Sequence, residues 1–327
     1  MKLTMNNSNF TENDRRINIE SCLILYTIHA PPSSYITNAI AACVVNVVIC
    51  IVGVVLNSLV LFIFWKSERL RSKLSYFTIM LLSAIDFGAV TIGHPLFVFK
   101  SVKQITDTDR CIYQVSYFIA LALFSASSMW TLWLINIERY FSIAHPILHR
   151  VYITRRRFVI VWLLVILYNT CVFVTSPYIS FWKNIATANT AIICFTTFYT
   201  YASIFVIARK KFSKLARNAG QESHNTTAFL RELKTAKIYV MVFFLTLICY
   251  FPGLVVFRLD NSWRANEKTP VIVTEATMWA FTSVSMSSTL NCLVFFWGNR
   301  ELRKQGSKIL QKYFQGQEDQ QIDLNVV

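Results

Sequence analysis

Long runs of apolar residues, separated by short polar stretches, recur along the whole chain. A bilayer core about 30 Å thick is spanned by roughly 20 apolar residues in a helix, and backbone groups in lipid must bond within their own segment. The runs are too long and too uniformly apolar for the alternating strands of a barrel. The pattern predicts seven membrane-spanning helices, at 36–65, 74–99, 111–140, 158–181, 188–208, 236–259 and 271–297.

The segments that flank these runs are polar. Residues 1–35 carry no basic stretch followed by an apolar leader, so we expect an N-terminal tail rather than a cleaved signal peptide. We expect residues 298–314 to form an amphipathic helix and the polar residues 315–327 to be disordered. The predicted fold class is therefore all-α: an integral membrane seven-transmembrane helix bundle with a short amphipathic eighth helix.

The composition agrees with a membrane protein, since 54% of the residues are hydrophobic and 15% are charged, with a mean hydropathy of +0.45. In a soluble protein the net charge of +15 would suggest a nucleic-acid partner. Here, however, 22 of the 32 Lys and Arg residues lie in alternate linkers and in the C-terminal tail. Because basic loops stay cytosolic, we predict an extracellular N-terminus in the plasma membrane and no nucleic-acid partner.

Two features of the predicted outer side involve covalent chemistry. Asn6 and Asn9 begin glycosylation sequons, so we expect glycans in the N-terminal tail. Of the eight cysteines, six lie inside predicted helices, and only Cys22 and Cys111 face the oxidising compartment. The compartment permits a disulfide between them, but the sequence does not show whether their Cα atoms come close enough, so bridged and free thiols both stay open.

Three residues are unusual within predicted spans. Asp86 is an acid deep in the second helix, which is consistent with either a neutral hydrogen-bonded group or a cation or proton site. Arg139 ends the third helix, where its side chain could simply reach the interface. Pro252 interrupts the sixth helix, where it removes a hydrogen bond and predicts a kink.

Polar signatures also follow one another in the order of the predicted helices. They are Gly53 with Asn57, Leu82 with Asp86, Glu138-Arg139-Tyr140 with Pro146, Trp162, Tyr201, Tyr250 with Pro252, and Asn291 with Phe295. Over about 40–300 this series resembles the rhodopsin-like (class A) G-protein-coupled receptors. The fifth helix and the short loop before it are similar to those of adenosine and melanocortin receptors.

The resemblance implies a heterotrimeric G protein as partner and a two-state switch. In this family an acid at the position of Glu232 pairs with the arginine at the position of Arg139, and breaking the pair frees a groove for the G protein as helix 6 moves outward. Tyr201 would then support the open form, and Ile147 would contact the G protein. The coupling and switch residues implied are Glu138, Arg139, Tyr140, Pro146, Ile147, Tyr201, Glu232, Tyr250, Pro252, Asn291 and Phe295.

The resemblance also implies an allosteric sodium ion, and we expect no other cofactor. The oxygen ligands would come from Asp86, Ser128, Ser288 and Asn291. Three residues depart from the family pattern: Tyr250 stands for tryptophan, Cys292 for proline and Phe295 for tyrosine. These departures leave basal activity and coupling strength open.

The expected ligand pocket is apolar and aromatic. Leu121 stands where amine receptors carry aspartate, so a biogenic amine is not expected. The pocket residues are Leu121, Ser125, Tyr250, Leu254, Phe257, Met278 and Phe281. They favour a small, weakly polar or lipid-like extracellular ligand, although they could also simply pack together. We expect Lys100 and Glu275 to be solvated charges at the rim.

Two other classes of membrane protein have sequence requirements of their own. An intramembrane enzyme needs paired acids, a histidine cluster or a nucleophile with its base, and none is apparent, so we predict a protein that is not an enzyme. A multi-span transporter is the alternative, since it too needs charge inside the membrane. It predicts paired repeats with broken helices in both halves, which the sequence does not display. A receptor is therefore the preferred prediction. We also expect membrane lipids to be among its partners.

Overall fold

The computed structural model describes residues 19–22, 25–28, 30–175, 182–217, 224–265, 270–309 and 311. Within them, seven helical segments are long and apolar enough to cross a membrane. This confirms the predicted seven-helix membrane bundle. The helices are α1 (Ser33–Lys66), α2 (Glu68–Arg71), α3 (Leu74–Gly88), α4 (His94–Ile105), α5 (Cys111–Ala144), α6 (Pro146–Tyr152), α7 (Arg155–Thr175), α8 (Trp182–Arg217), α9 (His224–Ala265), α10 (Pro270–Gly298) and α11 (300–309).

Several helices are longer than the apolar runs that predicted them. The fifth span, α8, continues to Arg217, and the sixth, α9, already begins at His224. An apolar run marks the part of a helix that lipid surrounds, whereas the backbone hydrogen bonds can continue into water. The fourth span, α7, ends at Thr175, and the remainder of its predicted range, 176–181, lies outside the described residues.

The second span consists of α3 and α4, joined by a wide π-helical turn at Ala89–Gly93. Pro95 follows this turn and has no backbone N–H to donate, which explains why the regular hydrogen-bond pattern is interrupted here. The Cys50 thiol donates to the Val90 carbonyl at 3.2 Å, and the Thr91 hydroxyl donates to the Phe87 carbonyl at 2.7 Å. Side-chain donors thus form hydrogen bonds with backbone carbonyl oxygens at and before the irregular turn.

The third and seventh spans, α5 and α10, are the most buried, and α1 and α7 expose most of their apolar side chains. Those exposed residues would face lipid. Gly53 of α1 allows a close approach to the second span, because a Cβ there would lie 2.7 Å from Val90 Cγ1. Two large buried clusters fill the bundle, one around Leu82, Leu132, Tyr239 and Phe295, and one around Phe97, Tyr117, Leu121 and Phe281.

A β-hairpin, which the sequence did not predict, precedes α1. Its strands β1 (Ile19–Cys22) and β2 (Leu25–Ile28) pair antiparallel, and both contact α5. An isolated two-stranded hairpin is marginal in water, so packing on the bundle must stabilise it. We call this the hairpin end of the bundle and the opposite end, which carries α11, the α11 end.

Cys111 at the start of α5 is disulfide-bonded, and the six cysteines within the spans are free. The backbone of β1 contacts α5, but the side chain of Cys22 lies outside the described residues. A Cys22–Cys111 bridge therefore stays a prediction. Asn6 and Asn9, and the tail at 315–327, also lie outside the described residues.

The short helix α11 lies against α1. Asn299 caps it, since its Oδ1 accepts hydrogen bonds from the backbone N–H groups of Glu301 and Leu302, both at 3.2 Å. A Cβ at Gly306 would lie 2.7 Å from Ile63 Cδ1, so the helices approach closely. The Gln305 amide, together with Arg69, holds the pKa of Glu301 below its usual value.

Candidate functional site

Arg139 is a buried cation at the α11 end whose guanidinium group makes several hydrogen bonds. It lies near the end of α5 and is 1% exposed. Its Nε and Nη2 donate to the two Glu138 carboxylate oxygens, each at 2.5 Å, and its Nη1 donates to Glu232 Oε2 of α9 at 2.7 Å. The Glu232 side chain keeps 35% of its surface exposed. Arg139 therefore joins α5 to α9, as the resemblance implied.

We call the network of Arg139 with Glu138 and Glu232 the latch. Further groups, which sequence reasoning missed, also bind to it. Ser75 Oγ accepts a hydrogen bond from Arg139 Nη2 at 3.0 Å, and the Tyr239 ring lies 5.8 Å from the guanidinium carbon. His149 Nε2 in α6 lies 2.7 Å from Glu138 Oε1. No simple sequence signal could have found these partners, because each comes from a different element.

The other expected coupling residues occupy two places around the latch. Tyr201 of α8 donates to Asn136 Oδ1 one turn before Arg139 and does not bond to Arg139 itself. Tyr140 packs with Tyr201 in a small apolar cluster between α5, α8 and α9. Pro146 begins α6, and Ile147 after it is 78% exposed. An apolar side chain so exposed beside the latch is available to a partner.

A second polar network lies in the middle of the bundle, around Asp86, which is 1% exposed. Ser128 Oγ donates to Asp86 Oδ1 at 2.9 Å, and Asn291 Nδ2 donates to Asp86 Oδ2 at 3.2 Å. Ser288 lies within reach of the same carboxylate. The four residues of the expected sodium pocket thus come together. Asn291 turns its Nδ2, not its oxygen, toward Asp86, because its Oδ1 accepts from Thr246 at 3.0 Å.

The sixth span connects these networks with the hairpin end. Pro252 lies inside α9, and Tyr250, two residues before it, donates to the Ser125 carbonyl of α5 at 2.7 Å. Toward the α11 end, the Tyr239 ring meets the Phe295 ring edge to face, with centroids 5.1 Å apart. Phe295 and Tyr239 are both buried, so the residue that departs from the family tyrosine packs beneath the latch.

A cavity of about 420 Å³ opens between the helices on the hairpin side of Tyr250. Its walls are mostly apolar, and five expected pocket residues line it: Leu121, Ser125, Tyr250, Leu254 and Phe281. Met278 instead lines a smaller neighbouring cavity, and the side chain of Phe257 lies outside the described residues. Sequence reasoning missed the walls from α7 and α8, among them Asn169, Val172, Phe173, Asn189, Thr190 and Ile193.

The expectation of solvated rim charges was wrong for Lys100 and Glu275. Lys100 is 5% exposed, because the rings of Phe97 and Tyr117 cover its ammonium group at 5.0 and 5.1 Å. Glu275 is partly buried, and its Oε1 has no hydrogen-bond partner among the described residues. For Lys100 one of the two covering rings, Tyr117, comes from α5, which the residue pattern of α4 alone does not reveal.

His94 is another buried polar group, and the sequence analysis did not predict a role for it. Its Nδ1 lies 2.7 Å from Asn46 Oδ1, and Asn46 Nδ2 donates to Thr282 Oγ1 at 2.9 Å. The signal available was a histidine beside Pro95 within the second apolar run. This chain of bonds joins the first, second and seventh spans.

Comparison with known proteins finds a family match and several similar receptors. Residues 56–209 match the family described as "7 transmembrane receptor (rhodopsin family)". Cannabinoid receptor 2 of Rattus norvegicus is 25% identical over 283 residues, which cover 80% of this chain and 76% of the relative. Sphingosine 1-phosphate receptor 1 of Danio rerio is 23% identical over 286 residues, 82% of this chain and 77% of the relative. Melanopsin of Felis catus is 26% identical over 250 residues, 67% of this chain and 50% of the relative.

These relatives are receptors, and they do not favour a transporter. The similarity to the adenosine and melanocortin branch stays a prediction. Seven membrane-spanning helices, the family match and relatives that share most of the chain agree with one another. The chain is a multi-pass membrane protein, and the family match with its receptor relatives supports a G-protein-coupled receptor of the rhodopsin-like (class A) type, a type that is not enzymatic.

Proposed function

We propose that this receptor lies in the plasma membrane with its hairpin end extracellular, and that a ligand in the 420 Å³ cavity frees Arg139 for a heterotrimeric G protein. The excess of basic residues around the α11 end supports this orientation. The exposed Ile147 beside the latch supports a protein partner at that end. Cavity and latch are then two sites that one equilibrium couples.

The hold of Glu232 on Arg139 is the observation that carries this proposal. It is an ion pair between α5 and α9 that can only persist while the two helices stay close at the α11 end. Outward movement of α9 would break it and uncover Arg139 together with the surrounding groove. The closed state therefore contains a bond that the open state lacks, which is what a two-state switch requires.

Contacts along α9 supply a physical route from the cavity to the latch. Tyr250 lines the cavity and bonds to α5, and Pro252 beside it removes one helical hydrogen bond. A ligand that displaces the Tyr250 ring would act on α9 at its weakest point. A small rotation there becomes a larger displacement at Glu232, about five turns away along the helix.

The cavity itself suggests the ligand class. Its volume lies within the roughly 300–1,000 Å³ of small-molecule sites, and most of its lining is apolar. Asn169 offers one of the few polar anchors, since its buried Nδ2 has no partner among the described residues. We therefore infer a small, weakly polar or lipid-like ligand.

We also propose that sodium acts as an allosteric ion at Asp86. The carboxylate and the hydroxyl oxygens of Ser128 and Ser288 are hard ligands of the kind that sodium takes. Asn291, as it is turned here, would hold the carboxylate rather than the ion. A bound ion would neutralise Asp86 and stabilise the closed packing of the second, third and seventh spans.

The test is ligand-free G-protein activation in cells, measured across a panel of Gα subunits at matched surface expression. Glu232→Ala should raise basal signalling through one subunit by about fivefold, because a half-exposed ion pair contributes about 1 kcal/mol to the closed state. Arg139→Ala should not signal, since it removes the group that the G protein would meet.

Glu301→Gln is the matched control, because Glu301 lies at the same end and pairs with Arg69 at 3.2 Å rather than with Arg139. It should behave as wild type. If Glu232→Ala stays at the basal level of wild type with every subunit despite normal surface levels, the latch is not the switch and the proposal fails.

A further inference from the structure

Lys100 in the middle of α4 is a buried cation that makes no ion pair among the described residues. The structure gives its ammonium group no ion pair and no hydrogen bond within the described part of the chain, only the ring faces of Phe97 and Tyr117. Asp109 acts on it electrostatically, but that carboxylate accepts hydrogen bonds from Gln114 Nε2 at 2.7 Å and from the Arg110 backbone at 2.9 Å. Lys100 therefore retains an unmatched charge.

Burial of a charge is costly unless the charge is paired, and two ring faces offset only part of the lost hydration. A neutral residue of similar length would fill the same space without this cost. The arrangement is thus expensive for a purely structural side chain. It becomes favourable once an anion arrives from outside the chain.

Lys100 lines a small cavity of about 10 Å³ together with Gln114, Tyr117, Thr277 and Phe281. This space has room for about one water molecule. The Tyr117 hydroxyl is buried and makes no hydrogen bond of normal geometry among the described residues, although Ser285 lies near it, so it can serve as a second donor at the same cavity. A carboxylate or phosphate group could accept hydrogen bonds from both the Lys100 ammonium group and the Tyr117 hydroxyl.

Phe281 separates the small cavity beside Lys100 from the larger apolar one, because it lines both. Rotation of that single ring would join a cationic compartment to an apolar chamber of 420 Å³. The combined cavity would have a cationic end at Lys100 and an apolar end in the larger cavity. Its shape and polarity match an amphiphile rather than a uniformly apolar molecule.

We propose that the ligand is an anionic amphiphile whose carboxylate or phosphate group pairs with Lys100 and accepts a hydrogen bond from Tyr117, while its apolar chain fills the larger cavity. This deepens the proposed function, since it names the ligand class of the same pocket. Entry of the head group turns Phe281 aside and brings the charge against α10.

The experiment measures equilibrium binding to the purified full-length receptor in phosphatidylcholine nanodiscs, with empty nanodiscs subtracted. The probes are oleate and oleoyl lysophosphatidate, which distinguish carboxylate from phosphate, and oleyl alcohol, which keeps the chain without the charge. Wild type should bind at least one acid about tenfold or more tightly than the alcohol, as expected for a charge-assisted bond in a dry site.

Lys100→Met should remove this preference for the acid while it leaves the affinity for the alcohol unchanged, and Lys100→Arg should keep part of it. Lys103→Met is the matched control, because Lys103 lies one turn along the helix over the Phe99 ring and does not line either cavity. Lys100→Gln provides the same test if the methionine variant does not fold, as judged by its melting temperature without probe.

The inference is overturned if wild type binds neither acid more tightly than the alcohol, or if the preference survives in Lys100→Met. The binding measurement uses no G protein. A charge preference in a receptor whose Glu232→Ala variant stays silent would uphold this inference and reject the latch, and the reverse result would reject only this inference.

Discussion

Arg139 is held by two carboxylates whose positions assign them different roles. Glu138 is its neighbour on the same helix and is fully buried, so it stays with Arg139 wherever α5 goes. Glu232 belongs to another helix and is partly open to water, so it can leave. Glu138 is therefore a permanent counterion, and only Glu232 can serve as the releasable partner.

His149 should strengthen the closed state through Glu138. Its imidazole contributes a hydrogen bond to a buried carboxylate, and a bond to a charged group is worth about 1.5–3 kcal/mol. If activation moves α6 away, His149→Ala should raise basal G-protein activation by about tenfold in the same cellular assay. His145→Ala is the control, because His145 contacts the Tyr140 ring edge to face and, among the described hydrogen bonds, the histidine that reaches Glu138 is His149. Equal basal activity in the two variants would exclude this role.

Asp86 should make basal activity sensitive to sodium. In membranes, replacing potassium chloride by sodium chloride at equal ionic strength should lower basal nucleotide exchange of wild type, because the ion stabilises the closed packing. Asp86→Asn should lose that response, since an amide cannot neutralise the ion. Asp109→Asn, an identical change in an acid outside the network, should keep it. A wild type indifferent to sodium would contradict the ion site.

Single residues were predictable where charge is conspicuous in the membrane. Asp86 and Arg139 stand out in apolar runs, and both proved buried in polar networks. Ser75, Asn136 and His149 could not be found, because they are ordinary polar residues whose meaning depends on which helix faces them. Lys100 was placed wrongly, since helix position alone does not tell whether two rings will cover a charge.

At the scale of elements, Pro252 divides α9 into two arms that carry different contacts. The arm toward the hairpin end touches the cavity through Leu254, and the other arm carries Glu232. Pro252→Ala would restore one helical hydrogen bond and stiffen the joint. We expect this change to reduce the elevated basal signalling of Glu232→Ala by several-fold when the two are combined.

The Pro252→Ala variant alone should be at least as stable as wild type in thermal unfolding, because alanine suits a helix interior far better than proline. That measurement separates loss of movement from loss of folding. A double variant that signals as strongly as Glu232→Ala would mean that α9 moves as one rigid piece.

Helices were the predictable elements, and their joints were not. The seven spans follow from apolar length alone, because lipid leaves the backbone few alternatives. The paired strands β1 and β2 were missed, since they are too short to be stable without their contact with α5. Similarly, the composition of an apolar run does not predict where an α-helical turn is replaced by a π-helical turn.

At the scale of the whole molecule, the orientation in the membrane can be measured directly. If the N-terminal tail is extracellular, Asn6 and Asn9 should both carry glycans, and an endoglycosidase should lower the apparent mass. Replacing both residues by Gln should abolish that shift. Asn225 is the control, because its sequon lies in the linker predicted to be cytosolic, and Asn225→Gln should change nothing. A shift that depends on Asn225 would reverse the topology.

The π turn at Ala89–Gly93 also governs how this chain should be aligned with other receptors. One residue turns an α-helix by about 100°, and a π turn holds one residue more than a regular turn. Against a relative with a regular second span, an ungapped alignment through Asp86 would pair every residue from His94 to Ile105 one position out. At sequence identities of 23% to 26%, too few identical residues would remain in this segment to reveal the shift of one position. The residue that corresponds to Lys100 in such a relative should therefore lie one position away from the residue aligned with it in an ungapped sequence alignment.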